Sequence, residues 1–263
     1  MNWSGGAPMF ANYVGLYALV RREFKRTMMV INQVIWPPVI TTLLYIYVFG
    51  LSLGPRIKSV DGVPYVEFLL PGLVMFNVIT SSYDETSSSM FQQRFMNSIQ
   101  ELLIAPLSFA EILVGFLIGS VLRGLVIGNL VMLLGLVLVH VAPRDMGTYF
   151  FFMTVTSLLF SACGLIAGLL GKTFDNLAII NTFVIWPLAF IGGIFSSASM
   201  LPPLLARLTL FNPMVYMIDG FRFSYTSGAE QGLAADGAVV SGLAAIALAT
   251  AFVMMKRGVN LRV

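Results

Sequence analysis

A run of polar side chains lies in an otherwise apolar part of the chain, between residues 77 and 88. These residues recur at helical spacing and form one stripe: Asn77, Thr80 and Ser81, Asp84, and Ser87 and Ser88. Such a stripe can line a pathway for a solute, or it can hold neighbouring helices together. The pattern leaves both roles open. It also predicts that Asp84 and Glu85 lie close to the cytoplasmic surface, where ionisation costs little.

Arg123 also requires a chemical explanation, because it lies well inside a long apolar stretch. Burying a guanidinium is costly unless the group is paired or hydrated. Glu111 is on the same predicted helix, but about 18 Å away, which is too far for an ion pair. Arg123 therefore requires a partner from another helix, a water-filled cavity or a carbonyl-lined break. The alternative role is direct contact with an anionic substrate.

No set of residues in the sequence predicts catalysis. The phosphate-binding pattern G-x-x-x-x-G-K-[ST] is absent, so the chain is not expected to hydrolyse nucleotides by itself. His140 is the only histidine and Cys163 the only cysteine, which predicts neither a zinc site nor a disulfide framework. We therefore expect a protein that is not an enzyme and that binds no metal or cofactor of its own.

Six apolar stretches, each long enough to cross a bilayer as a helix, occupy most of the 263 residues. They are residues 30–51, 68–88, 109–140, 147–170, 177–195 and 239–255. Only 10 % of the residues are charged, against about 25 % in soluble domains. The sequence thus predicts an all-α integral membrane protein with six transmembrane helices, in which residues 1–263 form one domain. The net charge of +3 is not gathered into a basic face, so no nucleic acid partner is expected.

Residues 8–29 are predicted to form an N-terminal amphipathic, interfacial helix. One side of it is apolar and aromatic: Phe10, Tyr13, Tyr17, Val20 and Phe24. Another side is basic: Arg21, Arg22, Lys25 and Arg26. Such a helix suits the anionic inner leaflet, although a plain juxtamembrane anchor is the alternative. Basic residues near helix ends are more numerous on the N-terminal side of the membrane, which predicts that both termini are cytoplasmic.

The connection between spans two and three, residues 91–106, mixes apolar and polar residues. On a short helix along the membrane surface, Ile99, Leu102 and Leu103 would form an apolar face opposite Gln100. A soluble partner could bind such a helix.

The connection between spans five and six, residues 196–237, is partly apolar. Its prolines cut it into pieces too short to span: Pro202, Pro203 and Pro213. Short re-entrant helices between helices 5 and 6 are therefore expected. Within this region Asp219 and Arg222 stand at i and i+3, a spacing that permits an ion pair.

Span four is rich in small residues, and Gly164 and Gly168 form a G-x-x-x-G pair. This pair permits two helix backbones to approach closely. The close contact is expected within one chain, with a dimer contact as the alternative.

Four segments of the chain resemble the membrane subunits of ABC-2 type exporters. These are bacterial ATP-binding-cassette permeases that include multidrug, daunorubicin, nodulation-factor and polysaccharide exporters. The segments are Arg21–Arg26 with Gln33–Pro38 and Phe49–Gly54, then Phe68–Leu73, Gln100–Leu107 and Phe211–Arg222. They occur in the expected order and cover nearly the full chain.

The resemblance implies a working unit of two permeases and two ABC ATPase subunits that bind ATP and Mg²⁺. A homodimer of this chain is the simpler expectation, and a heterodimer with a sister permease is the alternative. The unit would lie among the lipids of the bacterial plasma (inner) membrane. An ATPase-coupling segment is implied at Asn97, Ser98, Gln100, Glu101, Leu102, Leu103, Ala105 and Pro106. A translocation path along spans two and five is implied at Asn77, Thr80, Tyr83, Asn181 and Phe183. A structural signature is implied at Asn212, Pro213, Asp219 and Arg222.

The function implied by the resemblance is ATP-driven export of an amphiphilic, lipid, drug-like or glycan substrate. An ATP-independent secondary transporter or channel is the alternative, and it predicts several intramembrane ionisable groups that form a relay. A membrane-embedded transferase is a third class, which predicts clustered Asp, His and Arg residues near one membrane face. The sequence shows Arg123 as the ionisable residue deep in a span and His140 without a second histidine.

Overall fold

The computed structural model describes residues 12–57, 59–60, 62–197, 200–226 and 232–261. Its helices are α1 (Tyr13–Met29), α2 (Ile31–Tyr45), α3 (Gly54–Ile57), α4 (Tyr65–Phe95), α5 (Ile99–Ile104), α6 (Phe109–Val139), α7 (Met146–Leu170), α8 (Phe174–Ile180), α9 (Trp186–Ala189), α10 (Pro203–Thr209), α11 (Pro213–Thr226) and α12 (Leu233–Lys256). Three π-helical stretches extend them: Ile46–Leu53 after α2, and Asn181–Ile185 and Phe190–Ile194 on either side of α9. Two short strands, β1 (Ser59–Val60) and β2 (Val63–Pro64), form an antiparallel hairpin.

The prediction of six spans is confirmed. The helices that are long and apolar enough to cross a membrane are Ile31–Gly50, Tyr65–Phe95, Phe109–Val139, Met146–Leu170, Phe174–Ile194 and Leu233–Lys256. The second span extends further than predicted, to Phe95. Helices α4 and α6 have 31 residues each. Each is therefore about 46 Å long and exceeds the ~30 Å hydrocarbon core of a bilayer.

Helix α4 is the centre of the bundle. Between Phe68 and Phe91 all of its residues are buried except Thr80, Asp84 and Ser88. Helices α6 and α7 pack along its length. Polar residues of α4 therefore face protein over most of the helix, as a spanning helix with many hydroxyl groups requires.

The small residues of α7 allow it to lie directly against α4. A Cβ atom on Gly164 would be 2.5 Å from the carbonyl oxygen of Tyr83, and one on Gly168 would be 2.8 Å from that of Ser87. Next to this contact the hydroxyls of Ser82 and Ser157 are hydrogen-bonded at 2.7 Å. The close contact predicted from the G-x-x-x-G pair is thus made within one chain.

Both described ends of the chain lie at the same end of the bundle as α5. Near the N-terminus, the Asn12 amide donates to the carbonyl of Pro106, directly after α5. Near the C-terminus, the Arg94 guanidinium at the end of α4 donates to the carbonyls of Asn260 and Gly168, at 2.9 and 2.7 Å. The described ends of the chain, at Asn12 and near Asn260, therefore share one end of the bundle with α5, while the orientation of this end in the membrane stays a prediction.

Side-chain caps fix where the spans begin. Glu111 N donates to Ser108 Oγ, and Ser108 N donates to Glu111 Oε2, so that these two residues form a capping box at the start of α6. Glu111 is thereby occupied, consistent with its exclusion as a partner for Arg123. At the start of α7, hydrogen bonds from the Thr148 hydroxyl and backbone N–H hold the pKa of Asp145 below its usual range.

The predicted helix at residues 8–29 is described from Tyr13, and residues 8–11 lie outside the described part of the chain. Tyr13 and Tyr17 on its predicted apolar side are exposed, whereas Leu19 and Glu23 are buried against α6. An exposed aromatic side is what a membrane-surface helix needs. Its placement in the interface remains a prediction.

The region 196–237 contains two short helices, α10 and α11, and its residues 198–199 and 227–231 lie outside the description. The prolines divide the region into short helices, as expected, and they do so at the points where these helices begin. Pro203 and Pro213 each stand at a first helical position, where the missing N–H leaves no hydrogen bond unmade. Entry of these helices into the membrane remains a prediction.

Replacing Gly164 with alanine should weaken the bundle, because the new methyl group would press on the backbone of α4. We expect the free energy of unfolding to fall by about 1–3 kcal/mol, measured by denaturant titration in detergent. Gly242→Ala in α12 is the matched control, since a Cβ atom there meets nothing within 4 Å. It should leave stability unchanged or raise it slightly. Equal stability of both variants would contradict the packing described here.

Candidate functional site

Glu85 of α4 binds two arginines that come from two other helices. Its Oε1 atom accepts hydrogen bonds from Arg26 Nη2 at 2.5 Å and from the Thr27 hydroxyl at 2.8 Å, both on α1. Its Oε2 atom is paired with Nη1 of Arg123 on α6. Glu85 is only 2 % exposed. One buried carboxylate thus joins α1, α4 and α6.

A second buried carboxylate, Glu23 of α1, extends this network. Its oxygens accept hydrogen bonds from Ser89 Oγ at 2.5 Å and from Gln93 Nε2 at 3.2 Å, both on α4. Arg22 and Arg26 pair with the same carboxylate at 3.1 and 3.4 Å. We call Glu23, Arg26, Glu85 and Arg123 the ionic network. It attaches α1 to the central helix over more than two turns.

The network resolves one expectation from the sequence. Arg123 is paired with an acidic residue from another helix, which was one of the alternatives left open. The predicted position of Asp84 and Glu85 close to the cytoplasmic surface stays a prediction, and the structure adds that α1 covers Glu85. Glu23 was not predicted, although a single acidic residue within the basic run Arg21–Arg26 is a signal that could have identified it.

The three partly exposed residues of α4 between Phe68 and Phe91 follow one another at intervals of about one turn: Thr80, Asp84 and Ser88. We call them the open stripe. Asp84 Oδ1 accepts a hydrogen bond of 2.6 Å from Asn181 Nδ2, at the start of the first π-helical stretch of span five. Of the predicted path residues, Thr80 lies on this stripe and Asn181 contacts the stripe through Asp84. Their part in translocation stays a prediction.

The other three predicted path residues lie elsewhere. Asn77 and Tyr83 are buried within the chain. The Asn77 amide is 3.4 Å from the Thr42 hydroxyl of α2, and the Tyr83 hydroxyl donates to the carbonyl of Leu177 at 3.3 Å. Phe183 is 72 % exposed on span five. The structure thus does not bring all five side chains into one lining, and their part in translocation stays a prediction.

The predicted coupling segment contains the short helix α5. Asn97 adopts a left-handed conformation (φ 58°), which turns the chain between α4 and α5. Ile99 and Leu102 are buried against the bundle and Leu103 is partly buried, in agreement with the predicted apolar face. The opposite side is exposed: Asn97, Gln100, Glu101, Ile104 and Pro106, with Ser98 and Ala105 partly covered. This face is available to a partner.

The predicted structural signature holds α11 against spans two and five. The Asn212 amide donates to the carbonyl of Leu188 at 2.6 Å, while its oxygen accepts from Met214 N at the start of α11. Pro213 supplies the first residue of that helix, and Asp219 is buried within it.

Arg222 anchors the other part of the same helix. Its Nη2 atom donates to the carbonyl of Gly193 at 2.5 Å, and its guanidinium lies 3.7 Å from the centre of the Phe68 ring. Gly193 has φ of 100°, a conformation that favours glycine. The left-handed turn presents its carbonyl to the arginine. These contacts support the structural role implied for the signature.

Replacing Glu85 with glutamine should be strongly destabilising, because the partly buried Arg123 would lose its counter-charge and the partly buried Arg26 would keep only its pair with Glu23. We expect the free energy of unfolding to fall by about 3 kcal/mol or more, with a lower melting temperature in detergent. Asp84→Asn removes the same charge one residue away, where no arginine is paired. It should change stability by less than about 1 kcal/mol. If both variants melt together, the network does not stabilise the chain as described.

Comparisons with a family model and with individual known proteins point to the same family. The family model described as ABC-2 type transporter matches residues 14–225, which include the ionic network, the open stripe, α5 and the signature. The chain is similar to the inner membrane transport permease YadH of Escherichia coli K12, with 39 % identity over 217 residues, covering 82 % of this chain and 85 % of the relative. It is also similar to nodulation protein J of Rhizobium leguminosarum bv. viciae, with 26 % identity over 189 residues, covering 68 % and 70 %. The chain therefore belongs to the ABC-2 type transporter family.

Proposed function

We propose that this chain is the permease subunit of an ATP-driven exporter, in which separate ATPase subunits bind ATP and Mg²⁺ and supply the work. The observation that carries the proposal is the position of α5. It is a short helix with one buried and one exposed face, inserted between the central helix α4 and the long helix α6. A soluble ATPase that held the exposed face could move both spans.

The contacts of α5 suit transmission of force. Ile99 and Leu102 fix the helix to the bundle, so that displacement of α5 displaces the inner ends of α4 and α6. The ionic network joins those two helices to α1 close to the same end. The three helices would then move as a unit when ATP binding favours one of two conformations. The energy comes from the difference in affinity for ATP between the two conformations.

A second copy of the chain is expected to cover the open stripe. Polar side chains of a spanning helix must face protein or water instead of lipid, yet Thr80, Asp84 and Ser88 remain partly exposed in one chain. Spans one and five, which flank the stripe, also expose large apolar residues: Trp36, Ile40, Leu44, Tyr47, Ile179 and Phe183. A homodimer that closes over these surfaces would place the translocation path at its seam.

The expected location is the bacterial inner membrane, with the N- and C-termini cytoplasmic. The relative from Escherichia coli is named an inner membrane permease. The described ends of this chain lie beside α5, so the side that holds an ATPase would hold both termini. The cargo class proposed is amphiphilic, with lipid, drug-like and glycan molecules all included.

An ATP-independent secondary transporter is the second candidate, favoured by the buried carboxylates Glu23 and Glu85. A proton or ion relay needs carboxylates that change their charge during the cycle. Both groups here are compensated by arginines and hydrogen bonds. The ionic network is therefore better suited to attaching helices than to carrying protons.

Reversing the charge of Glu101 on the exposed face of α5 should release the ATPase. We expect the amount of ATPase that co-purifies with Glu101→Arg to fall about tenfold, since one unfavourable charge at an interface costs more than a kilocalorie. The measurement is affinity purification from native membranes, with ATP hydrolysis assayed in the eluate. Asp175→Arg is the control, because it reverses an exposed carboxylate outside α5. Failure of the unaltered chain to retain any ATPase under gentle extraction would contradict the exporter assignment.

A further inference from the structure

We propose that the open stripe and the aromatic residues above it bind a cargo that carries an organic cation beside an apolar body. This inference rests on the proposed transport function and specifies its substrate class. The observation behind it is the juxtaposition of Asp84, a carboxylate without a direct ion pair, with a ladder of aromatic rings that begins at Phe76 on the same face of α4 and continues on span five.

Asp84 differs from the acidic residues around it. Glu85 and Glu23 each bind arginines, whereas among the residues that the structure describes Asp84 forms no ion pair within 4.0 Å. Its one hydrogen-bond donor is the neutral amide of Asn181. The protein thus places arginines in direct contact with Glu23 and Glu85, whereas the charge of Arg123, which is bound to Glu85, acts on Asp84 only without a direct ion pair. A carboxylate in a membrane span without a direct ion pair can take a cationic partner from a ligand.

The surface next to Asp84, toward the beginning of α4, is aromatic. Phe76 stands two helical turns earlier on the same face as Thr80 and Asp84, about 12 Å from Asp84 along the helix. Its ring contacts Trp186 at 5.5 Å and Phe190 at 5.8 Å between centroids, both from span five. The ladder continues through Phe195, Phe49 and Tyr45. Trp186 remains partly open.

These two features match the two parts of one molecule. A positive group bound at Asp84 would lie beside the hydroxyls of Thr80 and Ser88, and an attached apolar body would extend toward Phe76 and Trp186. Aromatic faces attract organic cations as well as apolar groups, so the whole ladder tolerates such a cargo. The charge of Asp84 would repel an anionic cargo. The arginines of the ionic network would not attract it strongly, because they are already paired with Glu23 and Glu85.

The depth of Asp84 suits an amphiphile that enters from one leaflet. Asp84 lies about 28 Å along α4 from its beginning at Tyr65, close to the full thickness of the hydrocarbon core. A charged head group at the inner interface would therefore meet Asp84 first. The apolar body would already be inside the membrane, next to the aromatic ladder.

The test is the binding of radiolabelled tetraphenylphosphonium, a lipophilic cation, to the full chain purified in detergent. We expect the unaltered protein to bind this probe about tenfold more tightly than Asp84→Asn. Triphenylphosphine oxide, a neutral molecule of similar chemistry, should compete poorly with the unaltered protein. Asp84→Glu keeps the charge and should retain the preference. Asp175→Asn, which removes an exposed carboxylate elsewhere, should behave as the unaltered protein.

Three results would overturn the inference: no binding of the cation, equal binding to Asp84→Asn, or equal competition by the neutral compound. A change in dimer formation by Asp84→Asn without a change in cation affinity would also overturn it, because Asp84 would then pair with a second copy. The binding assay uses no ATPase. Cation selectivity in a chain that never retains an ATPase would therefore refute the exporter proposal while leaving this inference intact.

Discussion

The structure depends on the compensation of buried charge at Glu85. A carboxylate that is 2 % exposed is stable only if the protein itself supplies opposite charge, and here α1 and α6 each supply an arginine. This requirement constrains the fold. Helix α1 must lie against the bundle instead of leaving it, and α6 must present Arg123 toward α4. Glycines at positions 115 and 119 of α6 allow α1 to approach that closely.

Asp84 and Glu85 are adjacent in the sequence, but their carboxylates face different parts of the structure. Successive residues of a helix point about 100° apart. Glu85 therefore faces α1 and α6, while Asp84 faces span five and the open side of the chain. The same functional group, a carboxylate, is thus bound by arginines on one face of α4 and by the neutral amide of Asn181 on the next. Thr80 and Ser88 share the face of Asp84, and Ser82 and Ser89 share the attached ones.

The sequence predicts those features of the fold that depend on a single helix. Hydropathy and length identify all six spans, and the cost of burying Arg123 predicts that it needs a partner from another helix, a water-filled cavity or a carbonyl-lined break, of which the structure shows the first. The apolar side of α5 follows from Ile99 and Leu102. The features that the sequence does not predict depend on which helices pack against each other in the bundle. Glu23 can be placed in the network only when α1 is known to pack on α4, and Tyr83 is buried because Leu177 lies beside it.

The π-helical stretches were also beyond prediction, and they have a geometrical consequence. Each extra residue in a helical turn rotates everything that follows by about 100° relative to a regular α-helix. Span five contains two such stretches, and the residues that it presents to α4 include Asn181 near one end and Phe190 near the other. Which side chains of span five face α4 is therefore set by how many residues its wide turns contain. A change between π- and α-helical winding within span five would therefore rotate the residues beyond it about the helix axis. Different side chains would then face α4.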